Sequence, residues 1–187
     1  MCKSIRYSFC FAVLLFFLMA CTNSNLTIHL DVRSTTPQVN YGVEKLIELQ
    51  QTNQLVFSGN NADFNIQASV DSVNLKPEAY KIVLQNKLVE VIGGDAVGLM
   101  YGLLEVKNQL KSGKKTIESK EETPNLSFRA IKFNLPWDSY RRSEALQLHY
   151  ETCRDTLFWK SFLDMMVENR FNKLTLWNLH PFSYMVK

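Results

Sequence analysis

Hydrophobic and polar positions change rhythm several times along this chain, and each change marks an element. In LTIHLDV, Leu26, Ile28 and Leu30 alternate with more polar neighbours, the period of two that a half-buried strand shows. His29 falls on the polar side with no second metal ligand nearby, and reads as an exposed strand histidine. Between Val39 and Leu49, Val43, Leu46 and Ile47 recur at helical spacing, which predicts a helix with one apolar stripe. A turn at Gly59–Asn61 then separates LVFSG from DFNIQASV and predicts two more strands.

From Pro77 the pattern sharpens. EAYKIVLQNKLVEVIGGDAVGLMYGLLEVKNQL holds a strand, an Asn-Lys turn, a second strand, a Gly-Gly break and a long helix. Asp95 stands where it can cap that helix, and Val97, Met100, Leu103, Leu104 and Val106 supply its apolar side. Gly98 and Gly102 are four apart and share a helical face, where missing side chains let a neighbouring element come close. The Gly-Gly-Asp stretch lacks the lysine and the spacing of a phosphate-binding loop, so it reads as packing. Lys111–Thr123 is dense in both charges and poor in large apolar residues; it predicts a solvated connection or an exposed hairpin, with a domain boundary at its end.

The last third returns to strand, helix and strand. FRAIKFNL and KLTLWNLH flank a helix through FWKSFLDMMVEN, and strands joined by a crossover helix lie parallel, as in α/β sheets and barrels. Asp155 can cap the helix, and Phe158, Trp159, Phe162, Leu163, Met165 and Met166 recur as a face packed on the sheet. The stretch before it, from Ser139, reads as a long solvated loop in which Tyr140, Arg141, Arg142, His149 and Tyr150 lie near the mouth of a barrel. The expected fold is therefore α/β: a small accessory domain, a sheet with covering helices, followed by the first βαβ unit of an incomplete (β/α)8 barrel. A full barrel takes about 250 residues, whereas 64 follow Thr123.

Composition changes this picture at the N-terminus. Lys3 and Arg6 precede an apolar run from Phe9 to Met19, shorter than the ~20 residues that span a bilayer, so residues 1–20 are expected to be a signal peptide. The run ends in Leu18-Met19-Ala20-Cys21, which resembles a bacterial lipobox and implies lipidation of Cys21. Thr22, not Asp, follows, and that resemblance implies an outer-membrane anchor on the periplasmic or surface face. Removing the signal takes away two cations and no acid, so the net charge falls from +3 to +1 and gives no reason to expect a nucleic-acid partner. Cys2 and Cys10 leave with it, and Cys153 is then the free thiol beside the lipidated cysteine, so stability has to come from packing without a disulfide.

The run from Glu78 to Leu110 resembles the N-terminal accessory domain of family 20 glycoside hydrolases, the β-N-acetylhexosaminidases, and of α-glucuronidases. Its most specific part is the strand pair followed by GDAVGLMYGL, and the likeness covers about Leu26–Leu110. After the signal peptide at 1–20, the resemblance implies an accessory domain with its charged linker at 21–123 and the start of a catalytic barrel at 124–187. It implies no cofactor and no metal, and an oligosaccharide or polysaccharide as partner. In such barrels the site is built at the C-terminal ends of strands, which makes Asn134, Trp137, Asp138, Trp177, Asn178 and His180 candidates for substrate binding. Arg129 stands where hexosaminidases have a sugar-holding arginine, with Ala130 in place of their glycine and Asn134 in place of their aspartate; the other reading of Arg129 is an ion pair at the domain junction. Trp177 reads equally as a stacking face for a sugar ring or as a packed core residue.

Glycoside hydrolysis needs two carboxyl groups, or one acid helped by a substrate acetamido group. After Pro124 the acids are Asp138, Glu144, Glu151, Asp155, Asp164 and Glu168, of which Asp138 sits at a strand end. The resemblance places the catalytic acids on later strands, so they are expected beyond Lys187 and the chain is expected to be inactive alone. The rival expectation is a non-catalytic surface lipoprotein that binds carbohydrate or another subunit.

Overall fold

A computed structural model describes residues 25–52, 55–59, 61–111, 115–135 and 144–177. The signal-peptide and lipidation expectations at residues 1–20 and Cys21, and the candidates Trp137, Asp138, Asn178 and His180, lie outside the described residues. The architecture is α/β. In order, the elements are β1 (Leu26–Val32), α1 (Pro37–Ile47) running into a 3-10 turn (Glu48–Thr52), β2 (Leu55–Phe57), β3 (Phe64–Val70), β4 (Tyr80–Gln85), β5 (Leu88–Gly93), α2 (Ala96–Lys111), β6 (Lys120–Glu122), β7 (Ala130–Asn134), α3 (Glu144–Arg154), α4 (Thr156–Glu168) and β8 (Lys173–Trp177).

Strands β1 to β6 form one sheet in the order β2-β1-β3-β5-β4-β6. The first four are parallel, and β4 runs antiparallel to both β5 and β6. Ile28, Ile66, Ala68, Val89, Val91, Tyr80 and Ile82 are buried from successive strands, as the period of two requires. Helices α1 and α2 lie over this face and pack on each other. Asn86 closes the β4-β5 hairpin in the left-handed region, at φ 57°, which asparagine tolerates better than most residues.

Helix α2 is buried on more than one side. Leu99, Leu103 and Val106 are fully covered, as are Tyr101, Leu104 and Leu110 nearly so, each buried Leu contributing about 1.5–3 kcal/mol. Asp95 caps it, its Oδ1 accepting the Gly98 amide at 2.7 Å. At Gly98 an added Cβ would sit 2.1 Å from the Ala79 carbonyl oxygen, and at Gly102 one would sit 2.7 Å from Val91; the shared glycine face is where the turn before β4, and β5 itself, come close.

Three expectations need correction. The charged stretch before Thr123 is part of the sheet: Ile117 is buried and Lys120–Glu122 pairs with β4. Its charges suit a short edge strand, with Lys81 joined to Glu121 and Lys120 to Glu105, each at 3.0 Å. The long solvated loop contains a helix, α3, with Glu144 in its first turn and Arg154 in its last, the charge order that the helix dipole favours. On α4 the stripe facing the sheet is narrower than expected, because Leu163 and Met165 are exposed whereas Met166 is buried.

Strands β7 and β8 pair in parallel, from Ala130 with Lys173 to Asn134 with Trp177, and α3 and α4 connect them. Phe133 enters a ring cluster with Phe158, Trp159 and Phe162 at centroid distances of 6.0, 5.0 and 5.5 Å. These aromatics are core, as the spacing predicts. Among the described residues no helix is long and apolar enough to cross a membrane.

Candidate functional site

At the C-terminal ends of β7 and β8 the register sets Asn134 beside Trp177, and the Leu135 amide donates to the Trp177 carbonyl at 2.8 Å. Ile131, Phe133, Leu174 and Leu176 are partly buried, and Phe133 packs on the helices; Lys132, Asn134, Thr175 and Trp177 alternate with them and are exposed. In a barrel, the face away from the helices is the interior. Trp177 is 40% exposed among the described residues. The Lys132 ammonium lies over its ring, 4.5 Å from the centroid. Lys132 was not among the sequence candidates. The signal for it is its place two residues before Asn134, on the same face of one strand.

Arg129 is not at that end. It precedes β7, while Asn134 closes it, five strand steps or about 17 Å away. Its Nε donates to the Arg170 carbonyl at 2.6 Å, its Nη1 to the Leu126 carbonyl at 2.5 Å, and its Nη2 pairs with Glu78; it also bonds the Tyr101 hydroxyl. The fork that would hold sugar hydroxyls is thus bonded to the protein, and the structure does not bring Arg129 together with Asn134 and Trp177. Of the expected acids, Asp155 caps α4 by accepting the Leu157 amide at 2.8 Å. Asp164 takes the Tyr41 hydroxyl at 2.9 Å and Lys45 at 3.0 Å, and Glu168 takes Lys107 at 2.5 Å.

These contacts make the junction between the six-stranded sheet and the β7-β8 unit a polar one. Arg170 stacks on Tyr80 and Tyr101, 4.8 and 5.0 Å from their centroids, and its Nη2 donates to the Tyr80 hydroxyl at 3.2 Å. A cavity of about 120 Å³ lies here, lined by Glu78, Tyr80, Glu122, Arg129 and Arg170 among others. That is well below the ~300 Å³ from which small-molecule sites usually start. A larger groove of about 420 Å³, between α2 and β6, is lined by Glu105, Gln109, Thr116, Glu118, Ser119 and Lys120 and offers no aromatic ring on which a sugar could stack. Among the described residues no group of three or more His, Cys, Asp or Glu is placed to hold a metal ion.

The junction's charges set its response to pH. Burial pushes the Glu78 carboxyl up, but Arg129 and Asn172 outweigh it and hold it below the ordinary carboxylate range. Burial also pushes Asp164 up, and Lys45, Tyr41 and Lys160 bring it below. Burial lowers Lys45, and Glu48 with Asp164 reverse this and raise it. A depressed carboxylate contributes stability that is full above its unfolded value and disappears as pH falls through its folded value. The denaturant midpoint is therefore expected to stay flat from neutral pH down to the ordinary carboxylate range, ~4, and then fall. For Lys45 the sign is opposite, so its contribution persists until pH rises above the lysine range. A titration in which the Glu78→Gln and Asp164→Asn chain loses as much stability in acid as the parent would contradict this assignment.

No protein-family model matches the chain, and no curated protein sequence matches it. Solved structures do. A GH138 enzyme targeting pectin rhamnogalacturonan II superposes with a TM-score of 0.68 at 23% identity, over 84% of this chain and 25% of its own. A GH115 4-O-methyl-α-glucuronidase with specificity for decorated arabinogalactans gives 0.55 at 17%, over 82% and 25%. The β-N-acetylhexosaminidase from Bacteroides fragilis gives 0.51 at 14%, over 82% and 29%. The chain spans about a quarter of the length of the structures it matches, and in fold it resembles the corresponding part of these glycoside hydrolases.

Proposed function

We propose that the chain is the N-terminal part of an exported, lipid-anchored glycoside hydrolase acting on glycans. Residues 21–123 are its accessory domain, and residues 124–187 open its catalytic barrel. The observation that carries the reading is the side-by-side placement of Asn134 and an exposed Trp177 at the strand ends, in a fold shared with glycoside hydrolases. An indole offers its apolar face to the C–H face of a sugar ring, and an amide both donates to and accepts from hydroxyls. The described acids Asp155, Asp164 and Glu168 bond groups of the fold itself. This supports the reading that the carboxyl pair hydrolysis needs comes from other strands and that residues 1–187 alone do not hydrolyse glycans. One matched enzyme targets pectin rhamnogalacturonan II and another is specific for decorated arabinogalactans, so the substrate class stays at glycan.

The test is hydrolysis of a glycan panel by the complete gene product, with Trp177→Ala alongside the parent. The variant is expected to lose about tenfold in kcat/KM, ~1.4 kcal/mol of stacking. Parent protein that neither hydrolyses nor binds any glycan would overturn the reading. Glycan binding without hydrolysis would favour a non-catalytic binding lipoprotein. Anchoring through Cys21, at the outer membrane, rests on Lys3, Arg6, the apolar run and LMAC; a mature protein whose mass retains residues 1–20 would contradict it.

A further inference from the structure

The glycines of GGDAVG have a purpose that packing alone leaves unexplained. Ideal Cβ atoms at Gly94 and Gly98 would sit 1.9 Å from the Lys76 carbonyl oxygen and 2.1 Å from that of Ala79. The two glycines thus make room for the Lys76–Ala79 turn, which closes with the Ala79 amide on the Lys76 carbonyl at 3.1 Å and holds the Gly94 amide on the Ala79 carbonyl at 2.9 Å. Within that turn Glu78 adopts φ 62°, a left-handed conformation that glycine takes with less strain and glutamate rarely adopts. Its side chain leaves the accessory domain and meets the residues immediately before both barrel strands. One carboxylate oxygen pairs with Arg129, and the other accepts the Asn172 amide nitrogen at 3.0 Å.

Arg129 and Asn172 are in turn bonded to each other. The Arg129 amide donates to Asn172 Oδ1 at 3.0 Å, and its carbonyl accepts the amides of Asn172 at 2.9 Å and Lys173 at 3.2 Å. One carboxylate thus holds the two residues from which the parallel ladder begins, and that ladder ends with Asn134 beside Trp177.

We infer that Glu78 is a positioning residue: from the accessory domain it fixes the N-terminal ends of β7 and β8, and through the strand register it sets the pairing of Asn134 with Trp177. The accessory domain then serves as the template on which the first parallel pair is aligned. This stands on the junction geometry and is independent of which glycan, if any, the protein cleaves.

Amide hydrogen exchange on the whole chain tests it. In Glu78→Gln, the β7-β8 ladder amides, including Leu135 at the far end, are expected to exchange about tenfold faster or more, while the β3-β5 ladder keeps its protection. Glu78→Gly relaxes the left-handed backbone and removes the carboxylate; it should preserve the β3-β5 ladder and loosen β7-β8 to the same degree. Parental protection at Leu135 in Glu78→Gly would overturn the inference. So would equal loss of protection in both ladders, because Glu78 would then be serving only its own domain.

Discussion

Gly98→Ala is expected to lower the stability of the chain by about 3 kcal/mol, at the upper end of what overpacking usually costs. The added methyl would lie 2.1 Å from the Ala79 carbonyl oxygen and 3.1 Å from the Glu78 carbonyl carbon. Both are backbone atoms, which cannot rotate aside as a side chain does. Nor can α2 retreat, since Leu103 behind it is fully buried and Gly42 of α1 already leaves only 3.2 Å between an ideal Cβ and Leu103. The strain has to be taken up by the turn that carries Glu78, so the β7-β8 unit should loosen with it. Gly59→Ala is the control: nothing lies within 4 Å of its Cβ, and urea midpoints should show a change within ~0.5 kcal/mol. Equal midpoints for Gly98→Ala and the parent would remove the packing account of the GGDAVG stretch.

Arg129→Ala has the second large effect, also about 3 kcal/mol, because it leaves the partly buried Glu78 carboxylate without its cation. It also strips donors from the carbonyls of Leu126 and Arg170. Arg129→Lys should recover little, since an ammonium cannot reach in three directions as the planar fork does. Combined with Glu78→Gln, Arg129→Ala should cost less than the two single changes added together, by about 1 kcal/mol or more. Additive losses in denaturant unfolding would mean that the two side chains do not act on each other.

The elements with strong periodicity were legible in the sequence. Leu26, Ile28 and Leu30 alternate, Asp95 and Asp155 do cap their helices, and the two late strands are parallel. Resemblance to glycoside hydrolases was legible from GDAVGLMYGL and is matched by the solved structures. Other features depend on contacts between residues far apart in the chain. Lys120–Glu122 looks like linker because its stabilisation comes from pairing with β4, some 40 residues earlier. Arg129 looked as much like a sugar ligand as a junction arginine, since its partner Glu78 lies 51 positions away. Helix α3 is hidden by the polar character of its sequence, and Lys132 by its place inside β7, two residues before the strand end. The identity of Glu78 as the organising carboxylate carries no local signal beyond the Pro77 and Gly94 that frame its turn.

The most direct measurement of the central claim is the reading frame downstream of the Lys187 codon. The account predicts that it continues through further strand and helix repeats, enough for a barrel of about 250 residues, with carboxylates at two later strand ends. A frame that encodes neither repeated strand and helix pattern nor acids at strand ends would contradict the claim that β7 and β8 open a catalytic barrel.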